Sequence, residues 1–154
     1  MQAFVIGSDH AGFDLKQHLV AYLQGQGITV EDVGCHSPER CDYPDSSAQV
    51  AQAMRDRNIA HGILCCGSGI GVAMGANRHP WVRAVTANDV FTAKMSRLHN
   101  DANVLCMGQR FIAPAMAEEI LTVFMNTAFE GGRHQGRVDK LTELSSPTTT
   151  GNPH

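Results

Sequence analysis

The chain has 154 residues, 43% of them hydrophobic and 18% charged, with 15 glycines and a formal net charge of -3. That length supports one core without staples, and the weak negative charge offers no nucleic-acid surface, so a small-molecule partner is expected. No apolar run approaches the ~20 residues that cross a bilayer and the start "MQAFVIGSDH" lacks the character of a signal peptide, so a soluble mature protein with no membrane role is expected.

In chain order, apolar or β-branched runs at 3–7, 28–34, 62–67, 82–87 and 103–108 read as five strands. Helical patterns alternate with them at Phe13–Gln24, Ser46–Asn58, Ile70–Asn77, Val90–His99, Pro114–Ala128 and Gln135–Leu144. Alternation of this kind predicts an α/β fold: a Rossmann-like three-layer sandwich with a five-stranded, mostly parallel sheet, joined by right-handed crossovers. Residues 1–145 are expected to form one domain, and 146–154, without apolar periodicity, a flexible tail. The helix "PAMAEEILTVFMNTAF" carries apolar surface enough for core or interface.

Five cysteines, at 35, 41, 65, 66 and 106, show neither a disulfide framework nor CxxC spacing, so free thiols in a reducing cytoplasm are expected. Cys35, His36 and Cys41 lack a second pair at zinc-type spacing, and no metal is expected.

Ligands of doubly wound sheets gather at the carboxyl ends of strands, and there the sequence is rich in polar residues and glycine. "ILCCGSGIGVAMGANR" puts a thiol before a glycine turn that opens a helix. It is not a dinucleotide fingerprint, because Val72 or Met74 stands where the last glycine belongs. It is not a Walker loop, which ends in GK[ST], nor a thiol phosphatase loop, which needs arginine at Gly71 or Val72. What remains is a thiol beside backbone N–H groups, with a helix dipole that favours negative charge: a general base next to an oxyanion cradle. Alternation along the strand selects Cys66, at the turn, over Cys65, which reads with Cys106 as a small buried hydrophobe.

Asp9 and His10 end the first strand, where they suit hydroxyls and an anion, although Asp9 is also a natural helix cap. Tyr43 is expected in a loop before a helix capped by Asp45 or Ser46. His99 and Asn100 end a helix, where a histidine serves either proton transfer or a plain cap. Arg133 and Arg137, four apart, share a face if the helix has begun by then; with Arg110 they suit a phosphate dianion, against the plainer reading of a solvated basic face.

Together, "SDHAG", "DYP", "CGSGIG", "ANR", "RLHNDANVL", "GQR" and "EGGRHQGR" resemble the type B ribose-5-phosphate isomerases, within the sugar-phosphate isomerase family that includes galactose-6-phosphate isomerase. The resemblance runs from about residue 3 to residue 144. It implies a cofactor-free aldose–ketose isomerase acting on ribose 5-phosphate and ribulose 5-phosphate, as a homodimer or homotetramer with active sites shared between subunits. By position it makes Cys66 the base, His99 the ring opener, and Gly67, Ser68, Gly69, Ile70 and Gly71 the enediolate loop, Ser68 standing where many relatives have threonine. Asp9, His10, Tyr43 and Asn100 match sugar-contacting positions, and Arg110, Arg133 and Arg137 the phosphate set. A subgroup places a glutamate near residue 75; Gly75 assigns this chain to the cysteine type. Related sugar phosphates of allose, galactose and erythrulose are alternative substrates, and a noncatalytic phosphometabolite module or a thiol hydrolase are the rival classes.

Overall fold

The computed structural model describes residues 2–145, so the expected tail lies outside the described residues. Strands β1 (Ala3–Ser8), β2 (Thr29–Gly34), β3 (His61–Cys66), β4 (Ala84–Thr86) and β5 (Val104–Gly108) form one sheet in the order β2-β1-β3-β5-β4. Every pairing is parallel. Helices α1 (Phe13–Gly25), α2 (Tyr43–Asp56), α3 (Ile70–Ala76), α4 (Val90–Asn100), α5 (Pro114–Asn126) and α6 (Gln135–Leu144) follow in alternation.

The sheet divides the apolar residues by the two-residue period of its strands. Phe4, Ile6, Ile63, Cys65, Leu105 and Met107 face a core shared with α1, α4 and α5. Val5, Leu64, Cys66, Val104 and Cys106 face a second core under α2 and α3. The choice left open for α5 falls to the core: Ala117, Ile120, Leu121 and Phe124 are all buried, each large side chain contributing roughly 1.5–3 kcal/mol by leaving water. Lys16, fully buried on α1, is held by Asp32 of β2 at 2.6 Å, a pairing that a buried ammonium requires.

Four expectations are corrected. α2 begins at Tyr43, because Asp42 in extended conformation precedes it and Pro44 sits in its first turn, where a missing N–H costs nothing. β4 is shorter than 82–87: the Val82 N–H closes a turn onto His79, and the Arg83 and Ala84 N–H groups go to the side chains of Asn103 and Asn77, both at 2.7 Å. α5 stops at Asn126 because Thr127 is extended. Cys35 and Cys41 are joined in a disulfide, their Cα atoms 6.8 Å apart across the short loop, which leaves three free thiols rather than five.

Candidate active site

Parallel strands β1, β3 and β5 deliver their carboxyl ends to one edge, and the thiol stands at the middle one. Cys66 is the last residue of β3, and its Sγ accepts a hydrogen bond from the Gly69 N–H at 3.0 Å. That bond requires the chain to turn back at once, which Gly69 does with φ +80. The Ile70 N–H is likewise engaged, by Ser68 Oγ at 3.2 Å. Two amides of the expected cradle therefore already have partners within the loop.

Neighbouring strands pin the loop from below. Asn88 Nδ2 donates to Ser68 O at 3.0 Å and Thr86 Oγ1 to Gly69 O at 2.8 Å, while the Gly108 N–H donates to Asn88 Oδ1 at 2.8 Å. The Arg110 N–H donates to Gly67 O at 3.1 Å, so the arginine is held against the loop. A Cβ at Gly67 would stand 3.4 Å from the Arg110 guanidinium, and one at Gly71 3.1 Å from the Tyr43 ring. These two glycines are thus the floor on which Arg110 and Tyr43 lie.

Asp9 caps a 3-10 turn, His10–Gly12, by accepting the Gly12 N–H at 3.1 Å. His10 Nδ1 lies 3.0 Å from the carbonyl of Cys41; donating there would leave its Nε2 as an acceptor. Asp9, His10, Tyr43, Cys66, Gly67, Ser68, Gly71 and Arg110 line one groove of about 340 Å³, so most of the first group of expected residues is brought together. Tyr43 reaches it from the first turn of α2 rather than from a loop.

Cys65 and Cys106 lie within the cores, where burial pushes both thiols far above their ordinary range. At residue 75 a Cβ would meet Ser47 Oγ at 2.8 Å, so α3 and α2 approach too closely for a side chain there without a shift.

The second group lies elsewhere in the chain's fold. His99, Asn100, His134 and Arg137 line a separate groove of about 320 Å³, between the end of α4 and α6. Arg133 belongs to a 3-10 turn, Gly132–His134, and α6 begins only at Gln135, so the two arginines do not share one helix. The rings of His99 and His134 stack with centroids 4.3 Å apart. Burial holds His134 below the ordinary histidine range, with the positive neighbours Arg133 and Arg137 adding to the effect.

Glu130 stands beside both imidazoles, its Oε2 3.5 Å from His134 Nε2 and 3.9 Å from His99 Nε2. The stretch "EGGRHQGR" holds both residues, but its sequence points to the two arginines; only the turn before α6 shows Glu130 and His134 together. A larger groove, about 370 Å³, runs along Pro80, Val82, Ala84 and Leu141; apart from Asn100 it holds no expected site residue, and no thiol, carboxylate or imidazole.

The sequence from residue 4 to 141 matches the model of the Ribose/Galactose Isomerase family. This chain belongs to that family. Ribose-5-phosphate isomerase B of Escherichia coli is 41% identical over 144 residues, 94% of this chain and 97% of that protein. A protein of Mycoplasma pneumoniae described as a probable ribose-5-phosphate isomerase B is 41% identical over 88% of this chain and 90% of its own length. The solved structure of Clostridium thermocellum ribose-5-phosphate isomerase B superposes with a TM-score of 0.90 at 39% identity, covering 93% of this chain and 97% of that one. That of Thermotoga maritima gives 0.90 at 41% identity, with 92% and 98% covered. The parallel five-stranded sandwich is therefore the fold of Ribose/Galactose Isomerase family members. Among the described residues no helix is long and apolar enough to cross a membrane.

Proposed function

We propose that the protein is an aldose–ketose isomerase that interconverts ribose 5-phosphate and ribulose 5-phosphate through an enediolate. The observation that carries this reading is the buried Cys66 sulfur, which faces the α2–α3 core and also lines a polar groove, with a backbone N–H directed at it and Asp9, His10 and Tyr43 lining the same groove. An amide donor on the sulfur suits an atom that must hold negative charge until it takes a proton. In the forward direction Cys66 Sγ removes the proton from C2 of the open-chain aldose. The electrons move into the C1–C2 enediolate, loop donors other than the engaged Gly69 and Ile70 amides face the oxygen that gains charge, the proton of the C2 hydroxyl passes to O1, and the proton held on Cys66 Sγ returns to C1. His99 assists ring opening, Ser68, Gly69 and Ile70 shape the cradle, and Asp9, His10, Tyr43 and Asn100 contact the sugar.

The two grooves are separate within one chain, which supports a homo-oligomer in which the groove of His99, Asn100, His134 and Arg137 in one copy, with Arg133 in the adjoining turn, faces the Cys66 groove of another. The exposed Ile70, Met74, Phe91 and Phe111 near the loop and the helix starts supply apolar surface for such a contact. Phosphate held by Arg110, Arg133 and Arg137 at the far end fixes the reacting carbons against the sulfur. The three free, buried thiols suit a reducing, cytoplasmic setting, while the Cys35–Cys41 disulfide, uncommon there, weighs against it.

The test is a panel of phosphorylated aldoses and ketoses followed for interconversion, with wild type and Cys66→Ala. Ribose 5-phosphate should turn over fastest, and the variant should lose about 10²- to 10⁴-fold in kcat with KM nearly unchanged. A variant that kept a tenth of the activity would remove the sulfur from the mechanism, and exchange of solvent protons into bound sugar separates an isomerase from a binding module.

A further inference from the structure

His134 presents an unsatisfied polar atom. Its side chain is 5% exposed, and its Nε2 is buried without a hydrogen-bond partner among the described residues. Buried polar atoms nearly always have a partner, so this nitrogen points to something that binds there. The atoms around it narrow the choice. His99 Nε2, Glu130 Oε2 and His134 Nε2 all lie within 4.8 Å of one another.

We propose that His99, Glu130 and His134 form a binding site for a borderline divalent transition ion, Zn2+ in particular. Two imidazole nitrogens and one carboxylate oxygen are the donors such ions select, whereas Mg2+ and Ca2+ favour all-oxygen sets. With bonds of about 2.1 Å, donors on a tetrahedral Zn2+ stand about 3.4 Å apart. The Glu130–His134 pair is already at 3.5 Å, and the Glu130–His99 pair, at 3.9 Å, needs only a small closing. The stacked rings set their nitrogens side by side, so each ring must turn about its Cβ–Cγ bond to point at one centre.

The backbone brings the donors together before any ion arrives. The Glu130 N–H donates to Leu98 O at 3.1 Å, tying its loop to the last turn of α4 beside His99. The His134 N–H donates to Gly131 O at 3.0 Å, which folds the turn that returns His134 to Glu130. Glu130 is exposed and can admit an ion, and its carboxylate, standing near both imidazoles, opposes an anion at the same point. Three protein donors leave a fourth position open for water or for an oxygen of a bound ligand.

An ion there occupies His99. On the reading of His99 as ring opener, the site is inhibitory, and this consequence alone rests on the proposed function.

The experiment titrates Co2+, as an optical probe, into the full-length protein and then displaces it with Zn2+. The site predicts one equivalent with a d–d spectrum of nitrogen and oxygen ligation and no thiolate-to-cobalt charge-transfer band. Glu130→Gln and His134→Gln should each weaken binding at least about tenfold, a loss that even outer-shell changes bring. Cys66→Ala should bind Co2+ as wild type does. A charge-transfer band that disappears in Cys66→Ala, or an affinity indifferent to Glu130→Gln, overturns the site; because residue 130 is exposed, that variant decides even if His134→Gln does not fold. In the isomerase assay Zn2+ should inhibit wild type, reversibly with chelator, and Glu130→Gln should need at least about tenfold more. Binding as described without inhibition upholds the metal site and removes His99 from ring opening.

Discussion

The Cys66 groove is built from backbone, whereas the His99 groove is built from the ends of helices. In the first, the loop carbonyls of Ser68 and Gly69 are tied to Asn88 and Thr86, and the sulfur itself is bonded to an amide. In the second, His99 and Asn100 close α4 and Arg137 projects from α6, which has a single buried residue, Val138, after the one-turn 3-10 segment that carries Arg133. Groups that must hold a reacting atom to within a fraction of an ångström profit from the first kind of support. Groups that grip a remote phosphate tolerate the second, because charge acts over longer distances and arginine forks adapt. On the proposed function, proton transfer at Cys66 is given to the backbone-built groove, whereas ring opening by His99 and phosphate binding by Arg137 are given to the helix ends, with Arg110 of the phosphate set standing in the first groove.

The largest effect expected in the second groove is on binding. Arg137→Ala should raise KM for a phosphorylated sugar about 10- to 100-fold, the worth of a charged hydrogen bond, while kcat falls less. An unphosphorylated sugar should hardly notice. Equal losses with both substrates would mean that the exposed helix end positions the sugar rather than the phosphate, and the contrast between the grooves would fail.

In the first groove, the backbone itself can be probed. Gly69→Ala places a Cβ 3.0 Å from the carbonyl carbon of Met107 and 3.2 Å from Cys106 O, on a residue at φ +80. The left-handed conformation alone costs about 1–2 kcal/mol for a non-glycine residue. Urea unfolding should register a loss of at least that size, and kcat should fall with it, because the Gly69 amide holds Cys66. Unchanged stability would show that the loop relaxes and is not the rigid member of the pair.

Acid tests the sheet that carries the first groove. His61 begins β3, at the end opposite Cys66, and burial, assisted by the charge of Arg97, lowers its affinity for protons below the ordinary value of 6.5. The unfolded chain therefore binds the extra proton first, so stability is full above about pH 6.5 and declines as pH falls through the lower folded value. The urea midpoint should drop between pH 7.5 and pH 5, and the gap should narrow in His61→Gln. A gap of the same size in that variant would assign the acid sensitivity elsewhere.

The same contrast explains what was legible beforehand. Parallel strands buried on both faces announce themselves as short apolar runs, so β1, β3 and β5 and the residues at or just beyond their carboxyl ends, Asp9, Cys66 and Arg110, could be read directly. Tyr43 was misplaced because proline in a first turn is a quieter signal than a Ser or Asp cap, and α2 starts there. The 3-10 turns at His10–Gly12 and Gly132–His134 are too short to show a period. The Cys35–Cys41 pair carries no spacing rule, since its closure depends on the path of one loop. Glu130 opens the "EGGRHQGR" stretch, but nothing in that stretch gave it a role; the hydrogen bond from its N–H to Leu98 O ties its loop to the last turn of α4 beside His99. What depended on where the strands end was visible, and what depended on how helix ends meet was not.

Glycine provides the smallest and most discriminating test of that difference. Gly67, Gly69 and Gly71 each have neighbours within van der Waals reach of an added Cβ, but Gly136, the second residue of α6, has nothing within 4 Å. Gly136→Ala adds helix propensity and restricts the unfolded chain, a combined gain of at most about 1 kcal/mol. Among the described residues nothing opposes it, so thermal unfolding should move slightly upward with KM unchanged. A methyl at this position can then harm activity only through a contact outside the described residues of one chain. A rise in KM for the phosphorylated sugar, at unchanged or increased stability, that persists when the chain is cut after residue 145 would put another copy, or the bound sugar itself, against the start of α6.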